Sequence, residues 1–105
     1  MEIKNLAQLK RVLGNIGAKF EIVDHWRTDS IGERRVVQHV QTNAICSGID
    51  GDPEHKISKA NYGRGYYLYY GKASEWKFED GLCKWRPEHK SIPGHTYFTI
   101  RVLEN

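Results

Sequence analysis

The apolar residues Leu6, Leu9, Leu13 and Ile16 recur at steps of three, four and three, with mostly polar residues between them. That spacing draws one apolar stripe down a helix. Asn5 stands just before the stripe with Gln8 three positions on, the arrangement of an N-cap with a capping box. Gly14 and Gly17 follow the stripe and close it, and Lys10 and Arg11 fall toward the negative end of the helix dipole. The pattern predicts a helix over about 5–14.

Beyond Gly17 the period shortens to two, the period of strands. KFEIVDHW places Phe20, Ile22 and Trp26 on one face. A polar turn over Thr28–Gly32 separates it from ERRVVQHVQTNAI, a long β-branched run. Val36, Val40 and Thr42 fall on one face of that run, and Val37, His39 and Gln41 on the other. One strand of this length is expected to bend or bulge. CSGIDGDPEH carries Asp50-Gly51 and Asp52-Pro53 and predicts turns. YYLYY is a short strand launched by Gly63-Arg64-Gly65. WKFEDGLCKW has two alternating runs around Asp80-Gly81, a strong two-residue hairpin signal. Arg86–His95 holds two prolines and a glycine and predicts an exposed loop. TYFTIRVL closes the pattern with Phe98, Ile100 and Val102 on the core face.

These elements predict a single α+β domain over 1–105, with strands within 19–103. One N-terminal helix packs on a strongly bent, mostly antiparallel sheet, or a small open barrel, of five to six strands. The 105 residues are 39% hydrophobic and 11% aromatic, enough to bury a core without a metal or disulfide. No apolar run approaches the roughly 20 residues that span a bilayer. Nothing resembles a targeting signal, and two cysteines, Cys46 and Cys83, are few for a secreted domain this small. A reducing cytoplasm is expected. The thiols are read as free core residues, with a single Cys46–Cys83 bridge as the alternative. A net charge of +3 permits nucleic-acid contact without requiring it.

The tetrapeptide PEHK occurs twice, at Pro53–Lys56 and Pro87–Lys90. Each copy contains Glu-x-Lys, the second half of a metal-nuclease signature, so a small metal-dependent nuclease using Glu54 and Lys56 is one alternative. The prolines argue against a central strand at either copy. The five histidines show no metal-ligand spacing, and neither cysteine carries a nucleophile signature. No catalytic residue, metal or cofactor is expected.

What remains is aromatic and basic interleaving. Tyr66, Tyr67, Tyr69, Tyr70, Trp76, Phe78 and Trp85 fall within twenty residues, among Arg64, Lys72, Lys84 and Arg86. Alternation forbids Tyr67 and Tyr69 from sharing a face with Tyr66, Leu68 and Tyr70. One set enters the core; the other is exposed or covered by a partner. Exposed tyrosines beside arginines suit single-stranded nucleic acid, a protein hot spot, or simple burial under the helix.

MEIKNLAQLKRVL, GAKFEIVDH, VVQHVQTNAI, PEHKIS and GYYLYYGKASEWKFEDG resemble segments of a group of small proteins from phages and prophages of low-GC Gram-positive bacteria. The likeness covers most of residues 1–82. No activity is established for that group, so the resemblance implies a context and transfers no functional residues. Phage proteins of this size commonly bind and block a host or defence protein, sequester a nucleotide signal or coat nucleic acid, and a nucleic-acid-handling defence complex such as a CRISPR effector is one such target, as for an anti-CRISPR inhibitor. The expected function is therefore a non-catalytic, phage-type binding protein that acts by occupancy. Its macromolecule-binding surface is assigned to Arg34, Arg35, Arg64, Tyr67, Tyr69, Lys84, Trp85, Arg86 and Lys90. A host protein is the expected partner, with direct binding of single-stranded nucleic acid the other alternative. The chain is expected as a monomer or an edge-strand dimer, with no membrane partner.

Overall fold

The computed structural model describes residues 2–26, 28–51, 66–87 and 97–104, Tyr66 by its backbone alone. Helix α1 spans Leu6–Leu13. Asn5 caps it from an extended backbone, and its Oδ1 accepts the Gln8 N–H at 2.8 Å. The Gln8 amide does not close the box on Asn5. Its Oε1 accepts the Lys4 N–H at 2.9 Å and its Nε2 donates to the Glu2 carbonyl at 3.1 Å, fastening the incoming chain one residue earlier. At the other end Asn15 Nδ2 donates to the Arg11 and Val12 carbonyls at 2.9 and 3.2 Å, groups a helix end leaves unsatisfied. The helix stops before Ile16, which leaves the apolar stripe and is 75% exposed.

The strands are β1 (Lys19–His25), β2 (Arg34–Val40), β3 (Ala44–Ile49), β4 (Tyr66–Tyr69), β5 (Trp76–Glu79), β6 (Leu82–Trp85) and β7 (Phe98–Leu103). They form one antiparallel sheet in the order β4-β3-β2-β1-β7-β6-β5. Seven strands, against five to six expected, arise because ERRVVQHVQTNAI folds back on itself. Gln41 N–H bonds the Ala44 carbonyl at 2.9 Å around Thr42-Asn43, a tight turn that no glycine or proline announces. The Asp80-Gly81 hairpin forms as expected. Both residues have positive φ, 56° and 73°, as a type I′ turn requires.

The inner face of the sheet carries Phe20, Ile22, Val37, Ile45, Leu68, Cys83, Phe98, Ile100 and Val102, packed on Leu6, Leu9 and Leu13 of α1. Two register shifts set its detail. One, between Ile22 and Asp24, puts His25 in the buried position opposite Phe98 and leaves Trp26, expected on the core face, 39% exposed. The other, between Val37 and His39, leaves His39 on the outer face opposite Cys46.

The chain itself forces this sheet to curl. Strands β4 and β5 are its two edges, yet only Tyr70–Glu75 joins them, and Ala73–Glu75 is a 3₁₀ turn. Fully extended, that connection reaches ~24 Å at most. Edge strands of a flat seven-stranded sheet stand about 29 Å apart. The edges therefore bend toward each other, and both feed one core: Leu68 and Tyr70 from one side, Trp76 from the other. The Trp76 indole donates to the Tyr70 carbonyl at 2.6 Å across the seam. The sheet stays open, with no ladder between β4 and β5. No described helix is long and apolar enough to cross a membrane.

Leu9, Leu13 and Ile100 are fully buried in this core. Leu9→Ala or Ile100→Ala is expected to lower the unfolding free energy in urea titrations by about 2–5 kcal/mol. Ile16→Ala, on the same sequence stripe but outside the core, should change it by no more than about 0.5 kcal/mol.

Candidate functional site

Strand β4 pairs with β3 in a register that fixes which tyrosines face outward. Leu68 lies opposite Ile45, and Tyr70 follows it into the core; they are 1% and 3% exposed. Tyr67 and Tyr69 point to the other face, opposite Cys46 and Ala44. Their rings stack at 5.9 Å between centroids with 17° between planes, and Tyr69 is 54% exposed. Tyr67, half-buried, hydrogen-bonds the Cys46 thiol. A row Tyr67, Cys46, His39 thus crosses β4, β3 and β2 on the outer face.

The basic residues assigned to the same surface sit elsewhere. Arg35 is buried on the inner face, 6% exposed. Its Nε donates to Ser47 Oγ at 3.0 Å, one terminal nitrogen donates to the Ser47 carbonyl at 2.7 Å, and the other meets Glu33 at 3.3 Å. A charge placed there needs all of these partners to offset lost hydration. Arg34 is exposed on the outer face beside Glu21, which Arg101 engages from the far side at 3.3 Å. Lys84 pairs with Glu79 at 2.7 Å. The Arg86 guanidinium donates to the Trp85 and Phe98 carbonyls and to Thr99 Oγ1 at 2.9, 2.9 and 3.1 Å, and covers the Tyr97 ring. Trp85 faces inward and packs on Phe98, ring centroids 5.2 Å apart. Lys84, Trp85 and Arg86 belong to or follow β6, which shares no ladder with β4, although the Trp85 indole lies beside Gly71 at the seam. Arg64 and Lys90 lie outside the described residues, as do Glu54 and Lys56 of the first PEHK and most of the second.

Among the seven of the nine residues that are described, Tyr67 and Tyr69 stack side by side, and Arg86 bonds the Trp85 carbonyl. Further exposed apolar side chains, unsignalled by the sequence, are Trp26 and Ile31 around the β1–β2 connection, and Ile16. Ile16 borders an open groove of about 720 Å³ with Val12, Leu103, Arg11, Asn15 and Glu104. Among the described residues no three His, Cys, Asp or Glu side chains approach closely enough to hold a metal. Both cysteines are free and buried. Comparison with protein-family models, with curated proteins and with solved structures gave no match.

Burial raises the Cys83 thiol from 9.0 to about 12 and the Tyr70 hydroxyl from 10.0 to about 12. Burial also raises Cys46, partly offset by its hydrogen bond with Tyr67 and by the charge of Arg35. Each group is neutral when protonated, so the unfolded chain ionises first. For Cys83 and Tyr70 the contribution to stability is complete below about pH 9 and is lost as pH rises through about 12. Thermal unfolding across that range should show a falling midpoint. The Tyr70 hydroxyl is buried without a hydrogen-bond partner among the described residues. Tyr70→Phe should therefore not destabilise the protein at pH 7 and should reduce the alkaline loss. A clear drop in stability at neutral pH would show that the hydroxyl has a partner.

Proposed function

We propose that this chain is a non-catalytic binding protein that acts by occupancy, and that it presents the stacked Tyr67–Tyr69 pair on the outer side of β4 to a protein target. The observation that carries this reading is the pair itself: two aromatic side chains turned away from the core on an edge strand, one of them 54% exposed. Tyrosine supplies large amphipathic contact area and is enriched at the energetic centres of protein interfaces. Binding to nucleic acid draws instead on several cations that release counterions from phosphates. Of the described basic residues assigned to this surface, Arg35 is buried and Lys84 and Arg86 are already bonded within the structure, which leaves Arg34, together with Lys72, exposed. The resemblance to phage proteins supports a target among host or defence proteins, including a nucleic-acid-handling complex such as a CRISPR effector.

Immobilised protein incubated with host lysate, with and without nuclease, tests the reading. A defined protein should be retained after nuclease treatment, with affinity that changes little with added salt. Tyr69→Ala should weaken that retention at least about tenfold while leaving the thermal midpoint nearly unchanged. Capture that vanishes with nuclease and falls steeply with salt would replace this reading with single-stranded nucleic-acid binding.

A further inference from the structure

Strand β5 is the other edge of the sheet, and no strand lies beyond it among the described residues. The hairpin fixes which of its backbone groups face outward. In a two-residue type I′ hairpin the residues flanking the turn, Glu79 and Leu82, exchange hydrogen bonds, and every second pair repeats this. Lys77 and Lys84 form the next such pair. The bond from the Arg86 N–H to the Glu75 carbonyl, 2.8 Å, confirms the phase one step further. The N–H and C=O groups of Trp76 and Phe78 are thus aimed away from β6.

The outward side chains of β5 carry a charge pattern that the monomer leaves unbalanced. Lys77 lies directly opposite Lys84, a cross-strand arrangement of like charges that is unfavourable. Glu79 engages Lys84 at 2.7 Å, and Lys77 acts on the same carboxylate only from beyond ion-pair distance, both lysines holding the Glu79 carboxyl below its usual range. Lys77 and Glu79 flank Phe78 symmetrically, one cation and one anion.

We infer that β5 pairs antiparallel with β5 of a second copy of this chain, about a two-fold axis through Phe78. In that register the two Phe78 residues exchange N–H···O=C bonds, using groups that already point outward. Lys77 falls opposite Glu79 of the second copy, twice over, in the non-hydrogen-bonded positions where facing side chains approach closest. Each lysine then gains a directly facing carboxylate in place of the longer-range attraction to Glu79 of its own strand. On the inner side Phe78 is half-buried and stacks on Trp76, centroids 5.8 Å apart and planes 13° apart. The two-fold sets two Phe78 rings side by side and makes one row of four aromatic side chains. An isologous contact needs a self-complementary patch, and a Lys-Phe-Glu edge read in opposite directions is one. The contact is short, below the roughly 1,200 Å² of a standard interface, so the dimer is weak and concentration-dependent. It leaves Tyr67 and Tyr69 uncovered and stands whether or not they bind a protein.

Sedimentation equilibrium of the full chain over a concentration series tests this pairing. The mean mass should rise from the monomer toward twice its value. Lys77→Glu places two acids opposite each other across the axis and should weaken association at least about tenfold. Adding Glu79→Lys to that variant restores opposite charges in the same register and should return the dissociation constant to within about threefold of the original. Thermal unfolding of each variant verifies that it is folded. A monomer at every concentration overturns the inference. So does a dimer that Lys77→Glu does not weaken, or a loss that the double exchange does not recover.

Discussion

The six residues Tyr70–Glu75 govern this fold, because they must join two strands that the pairing order places at opposite edges of one sheet. A linker too short for a flat sheet leaves only curled ones. Curling also solves a second shortage. An eight-residue helix is about 12 Å long and can cover roughly two strands, so most of a flat sheet's inner face would stay wet. Once bent, the sheet covers itself. Leu9 and Leu13 need only fill the space over the central strands, while Leu68, Tyr70 and Trp76 close it from the edges. Lys10 lies across the Tyr70 ring at 5.4 Å, tying the helix to the seam.

The same geometry disperses the charges. On a bent sheet, residues close in sequence part company when alternate side chains point inward and outward, and strands at opposite edges face different directions. Arg34 and Arg35 are neighbours in the chain, yet one is exposed beside Glu21 and the other is locked against Ser47 beneath the sheet. Lys19 pairs with Asp50 and Arg101 with Glu21 along the outer face. Many described cations thus act within the structure, and those that do are spread over several strands rather than gathered on one face.

What the sequence made legible follows from local physics. The Asn5 cap, the Asp80-Gly81 turn, and the inward set Phe98, Ile100 and Val102 each depend on a few adjacent residues, and each is present. Alternation also separated Tyr67 and Tyr69 from Leu68 and Tyr70 correctly. The failures share one cause. A register shift inserts one residue and inverts every later assignment on that strand, and no composition marks it. Hence Trp26 is exposed where His25 is buried. The Thr42-Asn43 reversal was hidden for a related reason: uninterrupted β-branched composition on both sides looks like one strand. Which cations gather on a face depended on strand order, which a single sequence does not encode locally.

The crowd of aromatics between Tyr66 and Trp85 owes its density to the seam more than to binding. The gap between β4 and β5 has no ladder to fill it, so large rings do. Trp76 meets Phe98 edge-on at 5.5 Å, Phe78 stacks on Trp76, and Trp85 packs on Phe98. Gly71 turns the chain beside them at φ +61°, where a Cβ would come within 2.5 Å of Glu75 Oε1 and 3.4 Å of the Trp85 indole nitrogen. Rings wedged into an unladdered gap cannot all place their polar atoms, and the Tyr70 hydroxyl and Trp85 N–H are buried there without partners among the described residues. Large planar side chains tolerate this because their buried apolar area outweighs one lost hydrogen bond. Aromatic density is therefore a poor guide to a binding face in a nearly closed sheet, since the seam draws aromatics for its own packing. Tyr67 and Tyr69 stand apart from that account: they face away from the seam and make no contribution to the core cluster.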